Sequence, residues 1–183
     1  MSFCARAQNI DIELLNKLNS PYNEHADKIW KTYSDLNAPI CIATPLTMFT
    51  VGIFKHDKEL KTKSYETAAS IVLAGLITEG LKITINRNRP YVDYPDLIYK
   101  KASPKGASFP SGHTSTAFAN ATSLSLAFPK WYVIVPSYGY AAAMAYSRMY
   151  LGVHYPSDVL AGIIIGIGSS LLVFEVNKMM NKN

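Results

Sequence analysis

The 183-residue chain is 49% hydrophobic and only 17% charged, with a net charge of +5 and a mean hydropathy of +0.05. That length supports one domain with its own core. Two cysteines, Cys4 and Cys41, make neither a disulfide framework nor a zinc spacing. The positive charge is divided among short loops, not gathered into the aromatic-interleaved stripe of a nucleic-acid binder, so no nucleic-acid partner is expected.

The chain opens "MSFCARAQ", in which Ala5-Arg6-Ala7 before Gln8 resembles a small-x-small signal cleavage site. Residues 1–7 are therefore expected to be the remnant of a signal peptide or of a first membrane helix, with a coincidental alanine pair as the alternative. Residues 8–37 read as amphipathic. Ile10, Leu14, Leu15 and Leu18 follow helical spacing until Ser20-Pro21 breaks it, and Ala26, Ile29, Trp30 and Tyr33 suggest a second short helix. Both are expected to lie on a membrane surface or to cover a bundle.

From residue 38 onward the chain is organised by runs without charge: Ala38 to Phe54, Thr67 to Thr78, Gly106 to Pro129, Trp131 to Ser147 and Val159 to Phe174. A spanning helix needs roughly 20 mostly apolar residues. Three runs reach the usable length, the last nearly does, and Thr67 to Thr78 qualifies if Glu66 and Glu79 sit near the interfaces. The expected fold class is all-α: an integral membrane helical bundle over residues 38–176, with five to six transmembrane helices and an amphipathic N-terminal region. A soluble helical bundle is the alternative, and it would have to cover five such runs in a small domain. Gly162 and Gly166 form a G-x-x-x-G, whose usual meaning is close helix packing.

Counting crossings with the N-terminus outside places "KHDKELKTK" (residues 55–63), Lys130, Lys178 and Lys182 on the inner side, as lysine-bearing loops favour. It also brings three polar groups together on the outer side: "KITINRNRP" (82–90), "PSGH" (110–113) and "SRMYLGVHYPSD" (147–158). Lys82, Arg89 and Arg148 would meet there as mutually repelling cations, so an anion is the missing partner. The helix opened by Pro110 would aim the N–H groups of Ser111, Gly112 and His113 at that anion, and the Ser111 hydroxyl would add a donor. His154 precedes Asp158 by four residues. A carboxylate that holds one ring nitrogen leaves the other as a nucleophile, and His113 is then free to act as an acid. Taken singly, each of these residues also has an ordinary structural reading as a helix-end charge, an interfacial histidine or a structural pair. Arg87 reads as a helix-end charge. His25 and His56 read as solvated surface. No dinucleotide loop, P-loop or metal-ligand cluster is visible, and neither a cofactor nor a metal is expected.

These three groups resemble the signature of the type 2 phosphatidic acid phosphatase superfamily, K-x6-R-P, then P-S-G-H, then S-R-x5-H-x3-D. Lys82, Arg89, Pro90, Pro110, Ser111, Gly112, His113, Ser147, Arg148, His154 and Asp158 match every fixed position in order, and the resemblance runs from about residue 64 to 175. It implies a metal-free phosphatase in which His154 forms a phosphohistidine, Asp158 orients it, His113 protonates the leaving alkoxide, and Lys82, Arg89, Ser111, Gly112 and Arg148 hold the phosphate. Many membrane members of the family have six spanning helices, against the five runs visible here. The expected partners are the bilayer and a lipid phosphate or pyrophosphate: phosphatidic acid, phosphatidylglycerophosphate, undecaprenyl pyrophosphate or lipid A phosphate. The expected location is a bacterial inner membrane with the site facing the periplasm. The rival readings are a soluble non-specific acid phosphatase or a vanadium haloperoxidase of the same superfamily, and a lipid-binding membrane protein with an inactive site.

Overall fold

The structure is a computed structural model and describes residues 3–181. Eight helices follow in chain order: α1 (Phe3–Leu18), α2 (Glu24–Asp35), α3 (Asn37–Phe54), α4 (Lys58–Ile85), α5 (Pro90–Asp93), α6 (Gly112–Ala127), α7 (Trp131–Tyr150) and α8 (Pro156–Met180). Among the described residues there is no strand. The cleavage-like residues 5–7 fall in the backbone of α1, and their side chains lie outside the described residues.

Local chemistry fixes most boundaries. Asn23 starts α2 by accepting the Ala26 N–H, and Asp57 starts α4 by accepting the Leu60 N–H. Helix α4 stops where Asn86 turns left-handed, at φ 46°, a conformation asparagine tolerates better than most residues. The short uncharged run expected at 67–78 is thus the middle of a 28-residue helix, about 42 Å long at 1.5 Å per residue. Of its flanking acids, Glu79 is solvated beside Lys82, and Glu66 accepts from the Asn177 amide of α8. The run expected from Gly106 begins as irregular chain and becomes helical only at Gly112.

Helix α6 is the axle of the bundle. It packs against α8, α7, α4 and α3, and small residues such as Ala117, Ala119 and Ala121 line its buried surface. Helix α8 approaches it closely through its two spaced glycines. A β-carbon at Gly162 would stand 2.7 Å from the Ser111 carbonyl oxygen, and one at Gly166 only 2.4 Å from that of Ser115. The outer faces are apolar: Ile42, Leu46, Val72, Leu76 and Ile164 are all more than half exposed. Three stretches, Glu24–Phe54, Lys58–Asp93 and Pro156–Met180, are long and apolar enough to cross a membrane.

Helices α1 and α2 lie against one end of this bundle, touching α7, α8 and α3. The face that α1 buries is not the one its leucine spacing predicts. Leu15 is inside, joined by Asp11 and Asn19, whereas Ile10 and Leu14 are exposed. Polar anchors explain the rotation. Asn19 closes three hydrogen bonds, donating to the Tyr99 and Tyr150 carbonyls and accepting the Tyr99 N–H. In α2, Trp30 and Tyr33 pack inward on the tyrosines of α7 while Ile29 faces out.

Candidate active site

The end of α4, the start of α6, the end of α7 and the start of α8 meet at the α1–α2 end of the bundle, so the three polar motifs converge as crossing parity requires. Their local structure explains the spacing in each motif. In the last, Tyr155 caps α8, Pro156 takes its first position and Asp158 its third. The Asp158 carboxylate accepts the Tyr155 N–H at 2.9 Å. A three-residue gap between His154 and Asp158 therefore results from a helix start that turns the carboxylate back toward the imidazole.

His154 and Asp158 are almost wholly buried, at 2% and 0% exposure. Asp158 Oδ2 lies 3.5 Å from His154 Nδ1. No directed hydrogen bond forms there, and Nδ1 has no other partner. Burial pushes the His154 imidazole down to about 4; Asp158 pulls upward against it, and Arg148 and Arg89 push it further down. Asp158 is held by Ser108, whose hydroxyl donates to Oδ2, and by Arg87, whose Nη1 donates to Oδ1 at 2.7 Å.

The cations divide into free and engaged groups. Arg148 is 4% exposed. Its Nη1 donates to the Ser34 hydroxyl of α2, and its Nε has no partner. Lys82 pairs with the solvated Glu79 at 3.5 Å. Arg89 departs from the expectation of an open phosphate fork. Its nitrogens donate to the carbonyls of Gly106, Val153, Lys105 and Ala107, and its Nη1 stands 3.5 Å from His154 Nε2. Arg89 thus fastens the 105–107 loop and sets a charge beside the nucleophile candidate.

A second departure concerns Ser111. Its N–H does not face an anion but donates to the Asp158 carbonyl at 3.0 Å. Its hydroxyl pairs with Thr114 Oγ1 at 2.9 Å. The cradle narrows to the first-turn N–H groups of Gly112 and His113. Gly112 sits beside Lys82: a β-carbon there would be 3.9 Å from Nζ and would fill space in front of the ammonium.

His113 faces a cavity of about 430 Å³ shared with Arg148, Lys31, Ser34, Asp35 and Lys100. Among the described residues no cluster of three or more His, Cys, Asp or Glu side chains forms a metal site. Sequence reasoning missed Arg87, Asp11, Ser108 and Ser34 as parts of the site. The available signals were weak: a charge two places before Arg89, and an aspartate one helical turn before Leu15.

Fold and site together describe a helical bundle whose polar end gathers two histidines and four basic side chains around a buried carboxylate. The chain belongs to the PAP2 superfamily, which it matches over residues 65–182. It is 32% identical over 124 residues to an undecaprenyl-diphosphatase of Sulfolobus acidocaldarius, an overlap covering 68% of this chain and 58% of that protein. It is 37% identical over 107 residues to a lipid A 1-phosphatase of Rhizobium johnstonii, covering 56% and 43%. The chain thus spans about half the length of these curated relatives. Among solved structures it superposes on Aquifex aeolicus LpxE with a TM-score of 0.78 at 27% identity, over 91% of this chain and 95% of that one. A Bacillus subtilis transmembrane PAP2-type phosphatidylglycerolphosphate phosphatase shares the fold, with a TM-score of 0.75 at 22% identity over 95% and 87%. The protein is an all-helical, membrane-embedded bundle of this family.

Proposed function

We propose that the protein hydrolyses a phosphate ester or diphosphate of a membrane lipid, without a metal, through a phosphohistidine on His154. The observation that carries this reading is the assembly around His154 Nε2, which lies beside Arg89 and near the buried Arg148 with its unpartnered Nε, with the Lys82 charge acting on His113 in the same cluster. In the first step Nε2 attacks phosphorus, an N–P bond forms, and the bond to the lipid oxygen breaks. His113 delivers a proton to that departing oxygen. Arg148, Lys82 and the first-turn N–H groups of α6 take up the charge that develops on the phosphoryl oxygens. In the second step His113 accepts a proton from water, the water oxygen bonds to phosphorus, and the N–P bond breaks to release phosphate.

The cavity beside His113 is where a leaving group would sit. Its wall carries Lys31 and Lys100, with Asp35 as the opposing charge. A cationic wall at that position favours a leaving group that is itself anionic, so a lipid diphosphate is the preferred member of the substrate class, ahead of phosphatidic acid, phosphatidylglycerophosphate and lipid A phosphate. The lysines of the opposite end of the bundle favour a cytoplasmic placement of that end. This supports a site on the periplasmic face of a bacterial inner membrane, with residues 8–37 along its surface.

The test is phosphate release by detergent-solubilised protein from a panel of lipid monophosphates and diphosphates, with and without EDTA. EDTA-resistant release, abolished in His154→Ala and fastest on a diphosphate, supports the reading. Undiminished release in His154→Ala overturns the nucleophile, loss in EDTA overturns the metal-free chemistry, and halide oxidation with vanadate would favour a haloperoxidase.

A further inference from the structure

Arg87 lies outside the three motifs' fixed positions, yet it is among the most tightly held side chains at the site. Its Nη1 donates to Asp158 Oδ1 and to Ser157 Oγ, each at 2.7 Å. Its Nη2 donates to Asp11 Oδ2 of α1 at 2.9 Å, and its guanidinium stacks on the Tyr155 ring, 3.7 Å from the centroid. Asp11 in turn accepts the Ser157 N–H at 2.9 Å and the Ser157 hydroxyl. Asp11 is 9% exposed. A polar side chain buried in the middle of an amphipathic helix requires partners, and every partner of this one sits in the first turn of α8 or directly on Asp158.

We propose that Asp11, acting through Arg87 and Ser157, is a positioning residue that sets how Asp158 holds His154. The inference rests on the reading of His154 as nucleophile. An Arg87 facing Asp158 alone would neutralise that carboxylate with its whole fork. Asp11 draws one guanidinium nitrogen to itself, and Asp158 keeps more of its charge for the imidazole. The same contact pins the Ser157 N–H, so the helix turn carrying Asp158 cannot rotate away from His154. Helix α1 is on this view part of the catalytic scaffold, although it precedes the matched family region by more than a helix.

The charges make the proposal testable by sign. His154 is faced by Asp158 from α8, Arg148 from α7 and Arg89 from the turn after α4. His113 on α6 and Lys82 on α4 complete the cluster. None of these changes in the variants below. His154 must be neutral to attack, so kcat/KM falls as pH drops through its titration. Asp11→Asn removes a negative charge and lets Arg87 neutralise Asp158 more fully, so the acid limb moves to lower pH. Arg87→Gln removes the positive charge, so the limb moves to higher pH. Expected losses in kcat are about 10-fold for Asp11→Asn and about 100-fold for Arg87→Gln, with KM nearly unchanged. Arg87→Lys should restore the limb while recovering only part of kcat.

The measurement is a pH profile of lipid-phosphate hydrolysis in detergent, with the thermal midpoint of each variant and with His154→Ala run alongside. Opposite limb shifts in the two variants support the proposal. Unmoved limbs with losses that track the thermal midpoint mean a structural clamp only and overturn it. If Asp11→Asn does not fold, Asp11→Ser stands in for it, and an acid limb identical to wild type there overturns the proposal. Full activity in His154→Ala would instead sink the nucleophile reading, whatever the limbs do.

Discussion

Helices α4 to α8 and helices α1 to α2 contribute to the same site in different currencies. The former carry the charge and the proposed reacting atoms: Lys82, Arg89, His113, Arg148, His154 and Asp158. The latter contribute an acid and a hydroxyl that touch those groups from outside: Asp11 through Arg87 and Ser34 on Arg148. The family match covers the first region and none of the second. Cations buried at the end of an apolar bundle repel one another, and short-range motif spacing cannot relieve that; partners from elsewhere in the chain can.

If the two regions differ in this way, variants should form a descending series. His154→Ala should lower phosphate release at least about 1,000-fold, because removing the proposed nucleophile leaves only binding and electrostatics. Arg148→Ala should cost about 100- to 1,000-fold in kcat, since it takes away the buried charge proposed to meet the phosphoryl group. The wild-type pH profile of kcat/KM should show an acid limb where His154 takes up its proton. Its acid limb should lie near the His154 value of about 4, because neutral imidazole is the reactive form and is lost only below that value. A limb near the ordinary histidine range would show that burial is not the dominant influence on His154. Ser34→Ala should reduce kcat only a few-fold, about the effect of one hydrogen bond on a charged group, and it breaks the comparison if it matches Arg148→Ala. Lys17→Ala removes an exposed pair with Glu13 on the same helix as Asp11 and should change neither rate nor thermal midpoint measurably.

The legible part of the site was local. A lysine, two arginines and two histidines stand out in an apolar chain, and crossing parity alone brings them to one end. Hydrogen bonds that depend on sequence-distant partners were not legible. Asp11 and Ser157 are 146 positions apart, and Ser34 and Arg148 are 114 apart. Two motif residues are engaged by the fold in ways their spacing does not reveal. Ser111 and Arg89 read as phosphate ligands because hydroxyl and guanidinium suit phosphate. The fold offers them the Thr114 hydroxyl and the carbonyls of the 105–107 loop and Val153 instead. The face of α1 was misjudged because leucine spacing carries no information about where an asparagine and an aspartate will find buried partners.

Lys100 and Lys101 are adjacent but chemically unequal. The Lys101 ammonium is tied to Asp27 at 2.8 Å, with its side chain fully covered, and lies over the Tyr150 ring at 3.8 Å. Lys100 is exposed at the cavity wall. An amine-reactive reagent should therefore acylate Lys100 and spare its neighbour. The mass increment on that one peptide becomes a footprint of whatever fills the cavity, readable without knowing the substrate.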